Sequence, residues 1–163
     1  MILIKLFYGL AIILVLLAVL FCVMLFILAR QSDSLSNAGL INGQLQACPD
    51  GPRCVSSLAT NGQHSIAAFD VPAGLSEPVA AMAAIIRNSP RTEIIEQTDS
   101  YLHATFRSAL FGFVDDLEIL KDDEGLQVRS VSRVGRGDMG VNRKRVDALH
   151  VSWQELILQS QDI

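Results

Sequence analysis

From Leu6 to Ala29 the chain carries no charged residue, only Leu, Ile, Val, Phe, Ala and a few small or weakly polar side chains. No other feature limits the possible folds as strongly. A helix of that length covers about 36 Å at 1.5 Å per residue, enough to cross a hydrocarbon core of about 30 Å with some tilt. A core helix or a soluble amphipathic helix would show a polar face, and this stretch has none. A cleaved signal peptide is the competing reading. The run is long for one, and Leu28-Ala29-Arg30 offers no small-x-small cleavage pattern. Phe21 is too bulky beside Cys22 for lipoprotein processing. The expectation is an anchor at 1–30 that meets the lipid bilayer through residues 6–29.

Removing the anchor leaves room for one small domain. Lys5 precedes the span, while Arg30 follows it and is soon offset by Asp33, so the positive-inside rule leans only slightly toward a cytoplasmic N-terminus. Cys48 and Cys54 bracket the turn Pro49-Asp50-Gly51-Pro52-Arg53, which suits a disulfide outside the cytoplasm. Closing so short a loop contributes roughly 2 kcal/mol in the chain-entropy model. A metal site needs four ligands at recognisable spacing, and only His64, His103 and His150 remain to complete one. We expect no metal and no cofactor. The expectation from these features is a C-terminal domain on the non-cytoplasmic side of the membrane.

Residues 31–47 are rich in Ser, Asn, Gly and Gln and read as a polar tether with a flexible reach of about 20–25 Å. The soluble domain is expected over 48–163. Residues 55–63 are ambiguous, and His64–Val71 reads as a short strand ended by Pro72 and Gly74. Ser76 suits the N-cap of a helix through about Asn88, with Pro78 in its first turn. Four strands follow, at Thr92–Gln97, Tyr101–Ser108, Phe111–Lys121 and Leu126–Val134, where no helical period fits. A helix from about Val141 to Gln159 carries the apolar stripe Val146, Leu149, Trp153, Leu156 and Ile157. This order predicts an α+β fold, a small antiparallel sheet packed by two helices and preceded by a single transmembrane helix.

The turn Asp122-Asp123-Glu124-Gly125 sets the last hairpin, read as a four-residue loop. Lys121 then faces Leu126, Glu118 faces Arg129 and Asp116 faces Val131. One face of the pair collects Phe111, Phe113, Leu117, Ile119, Leu126, Val128 and Val134; the other collects Asp116, Glu118, Arg129 and Arg133. A one-residue slip would mix the faces. Asp115, Ser130 and Ser132 fall on the apolar face, where the serines offer the aspartate hydrogen bonds. Pairing Tyr101–Ser108 with the next strand puts Phe106 against Phe113, Leu102 against Leu117, His103 against Asp116 and Tyr101 against Glu118. Ala109-Leu110 is poor turn chemistry, so a longer loop is the alternative.

Six basic residues (Arg129, Arg133, Arg136, Arg143, Lys144 and Arg145) crowd one stretch that holds a single acid, Asp138, in a chain of net charge −4. Gly135-Arg136-Gly137-Asp138-Met139-Gly140 has the spacing of a dinucleotide fingerprint, but too little chain follows for a second parallel strand. Two readings remain. Arg136, Met139, Gly140, Val141, Asn142 and Arg143 form an anion-binding helix N-terminus, or the glycines make a tight strand-to-helix turn that Asp138 caps. Arg136-Gly137-Asp138 also spells an adhesion tripeptide, best treated as chance.

Several blocks in order carry a resemblance. They are Cys48-Pro49-Asp50-Gly51-Pro52-Arg53-Cys54-Val55-Ser56-Ser57, Tyr101-Leu102-His103-Ala104, Phe113-Val114-Asp115-Asp116-Leu117-Glu118, Arg129-Ser130-Val131-Ser132-Arg133-Val134-Gly135 and Asp138-Met139-Gly140-Val141-Asn142-Arg143-Lys144-Arg145. Over roughly Cys48 to Trp153 the chain resembles the domain-of-unknown-function family numbered fourteen-ninety-nine, of bacterial envelopes and plant organelles. The resemblance implies a shared fold and no established activity; together with the anchor it leads us to expect a bacterial inner membrane with the C-terminal domain in the periplasm.

Two function classes stand at this point. In the first, the domain is a non-catalytic module binding an anionic ligand, a lipid head group or an envelope protein partner. In the second, it is an envelope hydrolase of esters or phosphates, with His103 and Asp116 as an acid–base pair and Arg129 and Arg133 steadying an oxyanion. A cross-strand ladder of ion pairs on a partly exposed sheet is the plainer account of the same residues, and we favour it. Nucleic acid is disfavoured by the acidic balance and by the anchor.

Overall fold

In the computed structural model, which describes residues 2–161 and the side chains of 4–159, the chain forms three helices and one five-stranded sheet. Helix α1 (Ile2–Ser34) holds the apolar run, and over Ile4–Ser34 it is long and apolar enough to cross a membrane. The sheet comprises β1 (Cys54–Ser56), β2 (Thr92–Gln97), β3 (Tyr101–Arg107), β4 (Val114–Asp122) and β5 (Gly125–Ser132). Its order is β1-β5-β4-β3-β2, with every pair antiparallel. Helices α2 (Pro78–Arg87) and α3 (Val141–Gln161) lie on one face. The fold is the expected α+β arrangement.

Alternation along the strands gives that face its apolar character. Leu102, Ala104, Leu117, Ile119, Leu126 and Val128 pack against Val79, Met82, Ala83 and Ile86 of α2 and Val146, Leu149 and Trp153 of α3. The alanines of α2 let it lie close to the strands, and Pro78 sits where a helix's first N–H has no partner to lose. Phe69 is fully buried, stacks on His150 at 4.0 Å between centroids and meets Trp153 edge-on. Trp153 Nε1 donates to the Asp70 carbonyl at 2.8 Å, so its one polar group is satisfied.

The hairpin of β4 and β5 has the expected register, Lys121 opposite Leu126, Glu118 opposite Arg129 and Asp116 opposite Val131. Asp122 also pairs with Gly125, which tightens the loop to Asp123-Glu124. Gly125 has φ 137°, and a Cβ there would lie 2.5 Å from the Phe69 carbonyl oxygen, so only glycine fits.

Several local expectations are corrected. His64–Val71 is no strand: Ser65 and Phe69 make only isolated bridges, to Ser56 and Leu126. The ambiguous stretch instead supplies β1. Glu77 rather than Ser76 occupies the N-cap of α2, without a side-chain cap bond. Strand β4 begins at Val114 and β5 ends at Ser132, so Phe111, Phe113 and Val134 lie in loops. The β3–β4 connection is a six-residue loop, Ser108 to Phe113, because Ala109-Leu110 cannot make a tight turn. The pairing therefore moves by two residues, to His103 opposite Glu118 and Phe106 opposite Asp115. An even shift leaves every side chain on its face.

The largest correction concerns residues 31–47. Helix α1 continues through Ser34, and the segment after it lies along the sheet face opposite α2 and α3. It is a strap rather than a free tether. The Cys48–Cys54 disulfide, with a Cα–Cα distance of 5.6 Å, fastens its far end to β1.

Candidate functional site

The strap covers a sheet face where alternation places Tyr101 and His103 of β3, Asp116 and Glu118 of β4 and Arg129 of β5. Arg133 follows β5 on the same side. These residues form two linked cells.

In the first cell, Asp116 is fully buried and both its oxygens are used. His103 Nε2 lies 2.8 Å from Oδ1; since a carboxylate can only accept, that nitrogen carries the proton. Arg133 adds a fork, Nη2 to Oδ1 at 2.7 Å and Nε to Oδ2 at 3.0 Å. The Asn37 backbone N–H donates to Oδ2 at 3.1 Å. Burial by itself would raise the Asp116 pKa, but the hydrogen bonds from His103, Arg133 and Asn37 outweigh it and hold the carboxyl down to about 2.

In the second cell, Glu118 is equally buried. Its Oε1 accepts from the Tyr101 hydroxyl at 2.8 Å and from the Gly39 N–H at 2.8 Å, and its Oε2 from Arg129 Nη1 at 2.7 Å. The same Nη1 donates to the Asn37 carbonyl at 2.8 Å. Burial, and next the adjacent Glu118 charge, push the Tyr101 phenol well above its usual range. Arg129 Nε is buried with no hydrogen-bond partner among the described residues.

The four residues of the hydrolase reading are thus brought together, but not as one site. His103 and Arg133 share Asp116, whereas Arg129 belongs to Glu118. The expectation of a partly exposed ladder is also corrected. The strap shuts both carboxylates away from water, so breaking either pair leaves a buried charge unmatched. An incoming ester would first have to displace Asn37 and Gly39.

The strap and α1 are joined to this network. Ser32 is fully buried; its hydroxyl donates to the Ala29 carbonyl and accepts the Val114 N–H at 3.0 Å. Arg133 Nη1 donates to the carbonyls of Ser32 and Asp33. Arg107 pairs with the Asp33 carboxylate. Successive contacts Ser32–Val114, Asn37–Asp116 and Gly39–Glu118 advance along β4. The apolar part of α1 therefore leaves the sheet beyond Val114, on the side where the 108–113 loop projects.

The basic loop is arranged differently. Asp138 Oδ1 accepts the Gly140 N–H, and Oδ2 accepts both the Asn142 N–H and Asn142 Nδ2. The Val141 N–H goes to the Asp138 carbonyl. These donors of the α3 N-terminus are met within the loop. Asn142 is fully buried and ties Ser130, Ser132 and the Arg53 carbonyl together. Arg143 donates to the carbonyls of Gln63 and Ser65. Arg136 and Met139 are exposed, with Met139 in a left-handed conformation. On the apolar face Asp115 finds Arg145, at 2.6 Å, rather than the serines.

Tyr101 had a signal in the sequence, since alternation already put it on the face of Glu118. Ser32, Asn37 and Gly39 had none: Asn37 and Gly39 act largely through backbone groups and Ser32 through a lone hydroxyl, in a stretch whose composition reads as linker.

An antiparallel α+β domain beneath a long apolar N-terminal helix, with its charged face closed by the connecting segment, defines the class. The model of the family described as protein of unknown function (DUF1499) matches residues 44–152, and the chain belongs to that family. No curated protein and no solved structure matches it.

Proposed function

We propose that this is a single-pass, membrane-anchored envelope protein whose domain is a non-catalytic module for anionic groups at the bilayer surface. The domain stands on the non-cytoplasmic side, in the periplasm of a bacterial inner membrane. One observation carries the reading: the charged face is spent on holding the strap, and through Ser32, Asp33 and Arg133 it clamps the end of α1 to the sheet. A polar loop would let the domain tumble beneath its anchor, whereas a clamped one presents a fixed end to the membrane. The bond between the last turn of α1 and β4 supports retention of the helix as an anchor, and the disulfide is compatible with an oxidising compartment.

Hydrogen exchange on the intact protein in lipid tests the clamp. Amides of Asn37 and Gly39 are expected to be protected and to lose protection in Asp116→Asn with Glu118→Gln. Fast exchange at both amides in the unaltered protein contradicts the reading.

A further inference from the structure

The two ends of the sheet differ in chemistry. The far end carries the acidic turns Asp99 and Asp122-Asp123-Glu124. The end beside α1 carries the 108–113 loop, Arg91, Arg107 and the start of α3 with Lys144. Ser32 binds Val114 only three residues past Ala29, about 4.5 Å along the helix axis beyond the apolar run. The loop projecting from Val114 toward the apolar part of α1 is Ser108-Ala109-Leu110-Phe111-Gly112-Phe113. Leu110 at its tip is 82 % exposed, and Phe111 and Phe113 stand edge-to-face behind it. An apolar tip with poor turn chemistry is costly in water and favourable at a lipid interface.

Behind the loop, between the end of β3 and α3, lies a cavity of about 510 Å³. Arg91, Arg107, Lys144 and Arg145 border it, against one carboxylate, Asp115. Asp115 is matched by Arg145, and Arg107 by Asp33. The Arg91 Nε donates to the Arg107 carbonyl, while its terminal nitrogens have no partner among the described residues, and the same holds for the Lys144 ammonium. Phe106 and Leu149 line the floor, with Arg145 over the Phe106 ring at 4.6 Å. Two cations without partners among the described residues, over an apolar floor at the end of the sheet beside α1, suit a phosphodiester on a glycerol stem.

We propose that this cavity binds the head group of an anionic phospholipid, with the Leu110 loop inserted in the interface beside the anchor. The proposal rests on the clamped orientation argued above and names the lipid class that orientation would serve.

The test uses the full chain in lipid nanodiscs of phosphatidylcholine, with and without phosphatidylglycerol. Lipids retained on release into the gas phase are counted for the unaltered protein and for Arg91→Ala with Lys144→Ala. The expected result is an anionic-lipid preference on the order of tenfold, lost in the double variant, whose Asn37 and Gly39 amides stay protected. In a Cys22→Ala background, a nitroxide at Leu110→Cys is expected to meet dissolved oxygen more than an aqueous nickel complex, the reverse of one at Asp123→Cys. Equal retention of both lipids overturns the proposal, as does a Leu110 label as wet as the Asp123 label. A thermal shift with inorganic phosphate alone, without lipid preference, also overturns it in favour of a free-phosphate site. Protected amides beside any of these failures leave the clamp standing and remove only the lipid site.

Discussion

The two faces of the sheet are covered by different means. On one, α2 and α3 bury Leu117, Ile119, Val128 and Trp153 in contact that is broad and undirected. On the other, an irregular strap is held by a few directed bonds to Asp116, Glu118 and Arg129. Apolar burial is proportional to area and tolerates small shifts. A buried charge with fixed donors accepts one backbone path and penalises others, which is what a segment of Ser, Asn and Gly needs if it is to lie in a single position. The helix face therefore supplies stability, and the strap face supplies the geometry of the join to α1.

The contrast is broken most strongly by unbalancing the charges. Arg129→Ala leaves Glu118 buried without its cation and is expected to destabilise by about 3–5 kcal/mol, as much as Trp153→Ala on the helix face. Replacing both partners, Glu118→Leu with Arg129→Met, should cost much less, since apolar substitutes of similar volume often match a buried pair. The strap would nevertheless lose the acceptor for Gly39 and the donor to Asn37. Chemical denaturation and limited proteolysis at residues 35–47 check the pair: stability near the original with faster cleavage is expected.

Smaller effects come from pH. The Asp116 pKa is depressed in the fold, so its contribution is present above its ordinary value of 3.8 and disappears as pH falls through about 2. Roughly 2 kcal/mol is at stake, and Asp116→Asn should flatten that acid limb. Tyr101 has the opposite sign. Its pKa is raised, so stability holds below the ordinary value of 10.0 and falls as pH climbs above it, with a slope of up to about 1.4 kcal/mol per unit that Tyr101→Phe removes. Stability curves against pH measure both. The smallest change is expected at Arg136→Ala, within about 0.5 kcal/mol by thermal unfolding, since the side chain is exposed and Asp138 already caps the loop.

How much of this was legible in the sequence follows from which groups carry the signal. The apolar run, the order of elements and the β4–β5 register are written in side-chain periodicity. So was the joining of His103, Asp116, Glu118, Arg129 and Arg133 on one face, because alternation survives even a two-residue error in pairing. What periodicity does not encode is a covering segment that binds through backbone N–H and C=O. Asn37 and Gly39 hold the carboxylates through backbone groups, which leave no side-chain pattern to read, and nothing in 31–47 distinguishes a strap from a linker. The burial of the ladder depended on that strap, so it was hidden with it. The disulfide was suggested by spacing, but its role in fastening the strap required β1, whose three residues are too few to show a period.

The Asp116 and Glu118 network holds the strap and, through it, the domain against the end of α1. Cys22 is free and exposed on α1, while Cys48 and Cys54 are joined, so one spin label on Cys22 and one at Asp123→Cys report the join by pulsed dipolar spectroscopy in lipid. A single narrow distance distribution is expected, broadening when Asp116→Asn and Glu118→Gln release the strap. A distribution already broad with the network intact would contradict the account.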